Sequence, residues 1–213
     1  MKNAYQITLA LFVIATSPTV AQVAIGLKAG PTFSGVARSS FGAQDSYRIG
    51  WQAGLFGDMP VGKSFYLQPA LLLTSRGFNS KALLINGNTG EVVRPINYSL
   101  RPLYVEMPVL VVHKFDVSKS LRAYVGAGTY MAVGIGGRLL NDAPAIFGSS
   151  GLDAKFGRNA LFSQFDLGGS LAVGFDIRQR WQLGLNYNAG LRSKSLSNRM
   201  FSVTAGMFVG KYR

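Results

Sequence analysis

The sequence predicts an all-β chain folded as an eight-stranded antiparallel up-and-down transmembrane β-barrel. Three observations predict it. Apolar residues recur at every second position through eight segments, one side of that alternation carries no charge, and long connections alternate with short ones. A period of two is the pleat of a strand. Beyond the N-terminal leader no run of eighteen uninterrupted apolar residues occurs, so no helical crossing is expected. A closed barrel is the other fold that satisfies every backbone polar group in hydrocarbon.

The leader comes first. Met1–Ala21 holds one cation, Lys2, then the apolar run Ile7–Ala15, then Thr16-Ser17-Pro18 and the small-residue end Val20-Ala21. This three-part pattern predicts a cleaved signal peptide over residues 1–21 and a barrel over 22–213. Nine apolar residues make about 14 Å of helix, short of a ~30 Å hydrocarbon core.

The strands follow in order. In the first, residues 23–33, odd positions read Val23, Ile25, Leu27, Ala29, Pro31, Phe33, and even ones Ala24, Gly26, Lys28, Gly30, Thr32. In the second, 47–58, the odd side is Tyr47, Ile49, Trp51, Ala53, Leu55, against Arg48, Gly50, Gln52, Gly54, Phe56, Asp58. Six more segments, near 65–76, 103–115, 121–136, 162–176, 181–192 and 199–212, alternate in the same way. Expected connections are long at 34–46, 77–102 and 137–161, and short at 59–64, 116–120 and 177–180. Short periplasmic turns and longer external loops orient such a barrel, with both termini periplasmic.

The uncharged side decides which solvent lies outside. Over the odd positions of 23–33, 47–55, 65–73, 105–115, 121–135, 163–175, 181–191 and 201–209 there is no Asp, Glu, Lys or Arg, whereas the even side holds Lys28, Arg48, Asp58, Glu106, Lys114, Arg122, Asp166 and Asp176. Glycine follows the charges, with Gly169 the exception. A Lys or Arg facing lipid at mid-membrane costs roughly 2–4 kcal/mol. In a narrow barrel, small residues on the inner face let the wall curve and leave room for larger lumen side chains. The expected lumen network is therefore Lys28, Arg48 and Arg122 paired with Glu106, Asp166 and Asp176. The alternative is a soluble lipocalin-like barrel, apolar inside and charged outside. Aromatic residues at both ends of the apolar face (Phe33, Tyr47 and Phe201 against Phe65, Phe115, Phe175 and Trp181) favour lipid outside, as paired interfacial girdles.

Composition excludes several chemistries. The 213 residues include no Cys and a single His, His113, so disulfides, thiol nucleophiles and multi-histidine metal centres are ruled out. His113 falls on the apolar side, where an interfacial role is expected rather than a catalytic one. Glu106 and Asp166 are inward carboxylates, read as lumen ion-pair partners rather than an acid/base pair. The glycines of 126–128 and 134–137 lie within a strand with no helix after them, so no phosphate cradle is expected. No enzyme activity and no cofactor are expected.

Several segments together resemble the PorT-like, or outer membrane β-barrel, family of Bacteroidetes. They are IGLKAGPTFS (25–34), GWQAGLFGDMPVGKSFYLQPALLLTSRGF (50–78), YVEMPVLVVHKF (104–115), AYVGAGTYMAVGIGGR (123–138), DLGGSLAVGFDI (166–177) and WQLGLNYNAGL (181–191). The likeness covers essentially the whole chain after the leader, and the order of the elements carries it more than any one motif. It implies an eight-stranded outer-membrane barrel. The chain departs from barrels that end in an aromatic residue, since Tyr212 is penultimate and Arg213 last.

The net charge is +13, and Lys and Arg outnumber Asp and Glu in the expected external loops. Arg94, Lys155, Arg158 and Lys194 are the candidates there for contact with lipopolysaccharide phosphates. The expected partners are outer-membrane lipid and envelope proteins, and the export signal argues against nucleic acid. The function expected is a structural or interaction protein with a plugged lumen. The alternatives are a narrow pore or secretion-complex subunit, then a lipid-modifying enzyme.

Overall fold

The structure, a computed structural model, describes residues 23–36, 44–85, 92–141, 152–153, 164–191 and 198–209. The leader expected over 1–21 lies outside these residues. Ten strand segments follow one another: β1 (Ala24–Val36), β2 (Gln44–Pro60), β3 (Phe65–Ser75), β4 (Phe78–Ile85), β5 (Val92–Ser118), β6 (Leu121–Asn141), β7 (Leu152–Asp153), β8 (Phe165–Ile177), β9 (Trp181–Gly190) and β10 (Asn198–Val209). β3 and β4 each pair with β2 on one side and β5 on the other, so they form one span interrupted at Arg76-Gly77. Among the described residues β7 pairs only with β6. The remaining strands pair antiparallel in chain order, and β1 also pairs with β10. The result is a closed up-and-down barrel of eight spans.

The alternation of the sequence becomes the two sides of the wall. Leu55, Leu71, Val111, Leu171 and Leu185 face outward and are each at least half exposed, whereas Gln52, Glu106, Ser170, Asp176 and Ser202 face inward and are buried. This is the reverse of a water-soluble barrel. An apolar band running round the whole circumference far exceeds the few hundred Å² that a soluble monomer exposes. Phe33, Tyr47, Trp51, Phe165 and Phe201 lie toward one rim of the band, and Phe65, Phe115, Phe175 and Trp181 toward the other.

Two expected loops are partly strand. β4 and the first ten residues of β5 occupy much of 77–102, while β6 continues to Asn141 and β7 falls within 137–161. The β3–β5 register runs into the β4–β5 register without slip, from Ser75↔Leu103 to Phe78↔Leu100. Pro95 and Pro102 read as breakers, and the alternation lapses at Asn79-Ser80-Lys81. A hairpin that leaves the membrane needs no apolar face, since its ladder of backbone hydrogen bonds carries it.

One irregularity interrupts the parity of β6. Tyr104 of β5 pairs with Gly134 and Leu103 with Gly136, which leaves Ile135 as an extra residue. Such a bulge exchanges the faces of every side chain after it.

Candidate functional site

Two ion-paired clusters occupy the lumen, one toward the short turns and one toward the long connections. At the turn end, Lys114 of β5 places Nζ 2.7 Å from Asp58 Oδ2 of β2 and 2.6 Å from Asp176 Oδ2 of β8. The second oxygen of each carboxylate is also satisfied. Gln68 Nε2 donates to Asp58 Oδ1 at 2.7 Å, and Gln182 Nε2 to Asp176 Oδ1 at 2.9 Å. The Lys114 ammonium lies 4.5 Å from the centre of the Tyr66 ring. Arg122 stands beside the cluster, with Nη2 3.8 Å from Asp176 Oδ2 and Nη1 donating to Tyr66 Oη at 3.3 Å. Placing these groups on alternate residues of β2, β3, β5, β6, β8 and β9 brings them to one level of the bore. Removing one partner from such a buried set is costly because the other charge is left uncompensated.

The second cluster is built on Arg76, at the interruption between β3 and β4. Its Nη1 donates to Asp166 Oδ2 at 2.9 Å and its Nη2 to Glu106 Oε2. Tyr130 Oη donates to the same Asp166 oxygen at 3.0 Å, and Asn188 Nδ2 donates to Glu106 Oε1. The guanidinium carbon lies 4.9 Å from the Tyr130 ring centre and 5.5 Å from that of Tyr104. A planar cation with a carboxylate on each side and aromatic rings nearby suits arginine and not lysine.

The interruption delivers Arg76 to this place. Gly77 has a φ of 139°, a conformation that glycine adopts without strain. On the β2 side the register slips by one between Tyr47↔Phe78 and Gln52↔Thr74. Three successive carbonyls there accept from side chains of β1 and β2. Thr32 Oγ1 donates to the Ser75 oxygen at 3.0 Å, Arg48 Nη1 to that of Arg76 at 2.8 Å, and Ser34 Oγ to that of Gly77 at 2.8 Å. Thr32 reaches across β2 because residue 50 is glycine. A Cβ on Gly50 would collide with the Ser75 carbonyl and stand 2.6 Å from Thr32 Oγ1.

Of the expected network, Glu106 and Asp166 belong to the Arg76 cluster, and Asp176 and Arg122 to the Lys114 cluster. The expected pairings of Lys28 and Arg48 with carboxylates are corrected. Arg48 is turned to the Arg76 carbonyl and the Ser75 hydroxyl of the interrupted strand. Lys28 makes no ion pair among the described residues. Its Nζ lies 5.4 Å from the Phe56 ring centre, and the side chain lines a narrow polar cavity with Gln52, Glu106, Asn186, Asn188 and Ser202. The cations within hydrogen-bond distance of the carboxylates are Lys114 and Arg76, with Arg122 in a longer ion pair to Asp176. Lys114 is legible as an inward charge of its strand. Arg76 lies one even step beyond Thr74, where the alternating run of its segment stops.

His113 sits on the outer wall, with Phe65 at 4.9 Å edge-on and Phe115 stacked at 6.0 Å between ring centres. Arg94 is in β5, opposite Leu84. Lys155, Arg158 and Lys194 lie outside the described residues. Among the described residues no group of three His, Cys, Asp or Glu could hold a metal ion.

A family model described as the outer membrane protein beta-barrel domain matches residues 16–195. Among solved structures, Ail, the attachment invasion locus protein of Yersinia pestis, in complex with the heparin analogue sucrose octasulfate, is 10% identical with a TM-score of 0.46, over 88% of this chain and 99% of that one. Neisserial surface protein A is 14% identical with a TM-score of 0.44, over 87% and 96%. The outer membrane enzyme PagL is 11% identical with a TM-score of 0.46, over 86% and 99%. No curated protein matches the chain in sequence.

Proposed function

This chain belongs to the outer membrane protein beta-barrel domain family and resides in the outer membrane, and on that premise we propose that it is a structural and interaction protein of the PorT-like type, with a plugged lumen and no catalytic role. Residues 1–21 serve as its export signal. The observation that carries the reading is the pair of buried ion clusters, Lys114–Asp58–Asp176 and Arg76–Glu106–Asp166, set at two levels of one bore. Each carboxylate in them accepts from at least two donors, and Tyr104, Tyr124 and Tyr130 are buried in the lumen as well. An eight-stranded bore is just wide enough for side chains to fill. What remains for function is the basic external surface, where Arg94, Lys155, Arg158 and Lys194 meet lipopolysaccharide or envelope partners.

Planar-bilayer recording tests the plug. The purified protein gives no steady conductance; a porin-sized channel overturns the reading. The second reading, a narrow pore or an export subunit, draws on the polar cavity beside Lys28. A small steady conductance that Lys28→Gln changes would favour it. Recovery of the intact protein in an envelope export complex would favour the subunit form.

A further inference from the structure

We propose that Arg101 and Arg138 form an outward-facing pair that binds a phosphate of lipid A in the outer leaflet. The inference rests on the lipopolysaccharide reading above and gives it a site on the wall of the barrel instead of in the loops.

The bulge at Ile135 makes the pair. Through Val133 and Ile135 the odd residues of β6 point outward, and an unbroken pleat would turn Arg138 into the bore. With Ile135 as the extra residue, Arg138 becomes the register partner of Arg101. Directly opposed residues of an antiparallel pair share a face, with Cβ atoms about 4.5–5.5 Å apart. Both arginines are exposed. Like charges placed opposite each other destabilise a sheet, so the arrangement calls for an anion between them.

Their height on the wall selects the anion. Going up β5, the outward residues are Val111, Val109, Met107, Val105, Leu103 and then Arg101, the first charge above the apolar band. Arg138 is likewise the first outward charge on β6. Each therefore sits at the level of lipid headgroups on the side of the long connections, which is the external leaflet. Directly below, Gly136 opposes Leu103, and nothing lies within 4 Å of where its Cβ would be, so the wall beneath the pair is open. Arg101 uses Nε on Ser99 Oγ at 3.4 Å, and no described side chain accepts from the terminal nitrogens of either arginine. The row across β5, β6 and β7 reads Arg101, Arg138, Asp153, two cations to one anion. Guanidinium forks match phosphate oxygens bidentately, and an anionic leaflet reinforces the attraction.

The test uses the full-length folded protein in detergent, checked by heat-modifiable gel migration, with bound lipid counted by native mass spectrometry. The probes are bis-phosphorylated lipid A, its dephosphorylated form and phosphatidylglycerol. Wild type retains bis-phosphorylated lipid A about tenfold better than either other probe, and R101Q/R138Q loses that preference. R199Q, a first outward charge on the far side of the barrel, stays within about twofold of wild type and serves as the control. R101K/R138K keeps charge without the fork and falls between wild type and R101Q/R138Q. If R101Q/R138Q retains the preference, this site is wrong while the lipopolysaccharide reading stands. If wild type binds lipid A equally well without its phosphates, both are wrong. Equal retention of phosphatidylglycerol overturns lipid A as the occupant.

Discussion

The two lumen clusters solve the same electrostatic problem with different amounts of redundancy. In both, each carboxylate has a neutral donor besides its cation, but Lys114 arrives on an uninterrupted strand and has a second cation, Arg122, in reserve beside Asp176. Arg76 arrives only because a strand is interrupted, and that interruption is held by Thr32, Arg48 and Ser34 together. The turn end is therefore tolerant, and the loop end depends on several parts being right at once.

Five substitutions break or sharpen that contrast, each read as a urea unfolding midpoint of the refolded protein in lipid. The largest effect is expected from Arg76→Met, which leaves Glu106 and Asp166 with the Asn188 and Tyr130 donors but no ion-pair partner and costs about 3–5 kcal/mol. Adding Glu106→Gln and Asp166→Asn recovers most of that loss, and a triple variant as unstable as the single one would show that packing, not charge, holds the cluster. Lys114→Met comes next, at about 2–3 kcal/mol, because Arg122 and the two glutamines remain. A loss equal to that of Arg76→Met erases the distinction between the clusters. Gly50→Ala, which blocks the path from Thr32 to the Ser75 carbonyl, costs about 1–3 kcal/mol. Gly136→Ala, with open space around it, stays within about 0.5 kcal/mol. If the two glycines respond alike, the window through β2 has no structural role. The last effect is a gain. Arg178 and Gln179 turn the β8–β9 hairpin with φ of 50° and 53°, and Gln179→Gly stabilises by about 1 kcal/mol. A neutral or destabilising result would mean that the Gln179 side chain contributes something its backbone geometry does not reveal.

The contrast also marks what could be read in the chain beforehand. The closed barrel, the apolar exterior and the inward direction of Asp58, Lys114, Glu106, Asp166 and Asp176 all follow from parity, because the pleat sends alternate residues to opposite faces. Which cation meets which anion does not follow. That depends on the stagger between spans far apart in sequence, and parity alone pairs Lys28 and Arg48 with carboxylates to which they form no ion pair among the described residues. Arg76 lay at the edge of its segment, where alternation gives way to Gly77. Arg138 reads as a loop residue until the bulge at Ile135 is known. Parity holds only between irregularities, and Arg76 and Arg138 sit at or just beyond one.

The seam where Ile25 lies against Val209 has a consequence for biogenesis. Hydrocarbon cannot hydrate a bare strand edge, and the first strand's outer edge has no mate until the last strand is threaded alongside it. Every intermediate short of that step has two raw margins and must be sheltered by something other than lipid. The final strand thus acts as a clasp, and a copy clipped before it should accumulate in the periplasm as prey for proteases, not as a smaller barrel.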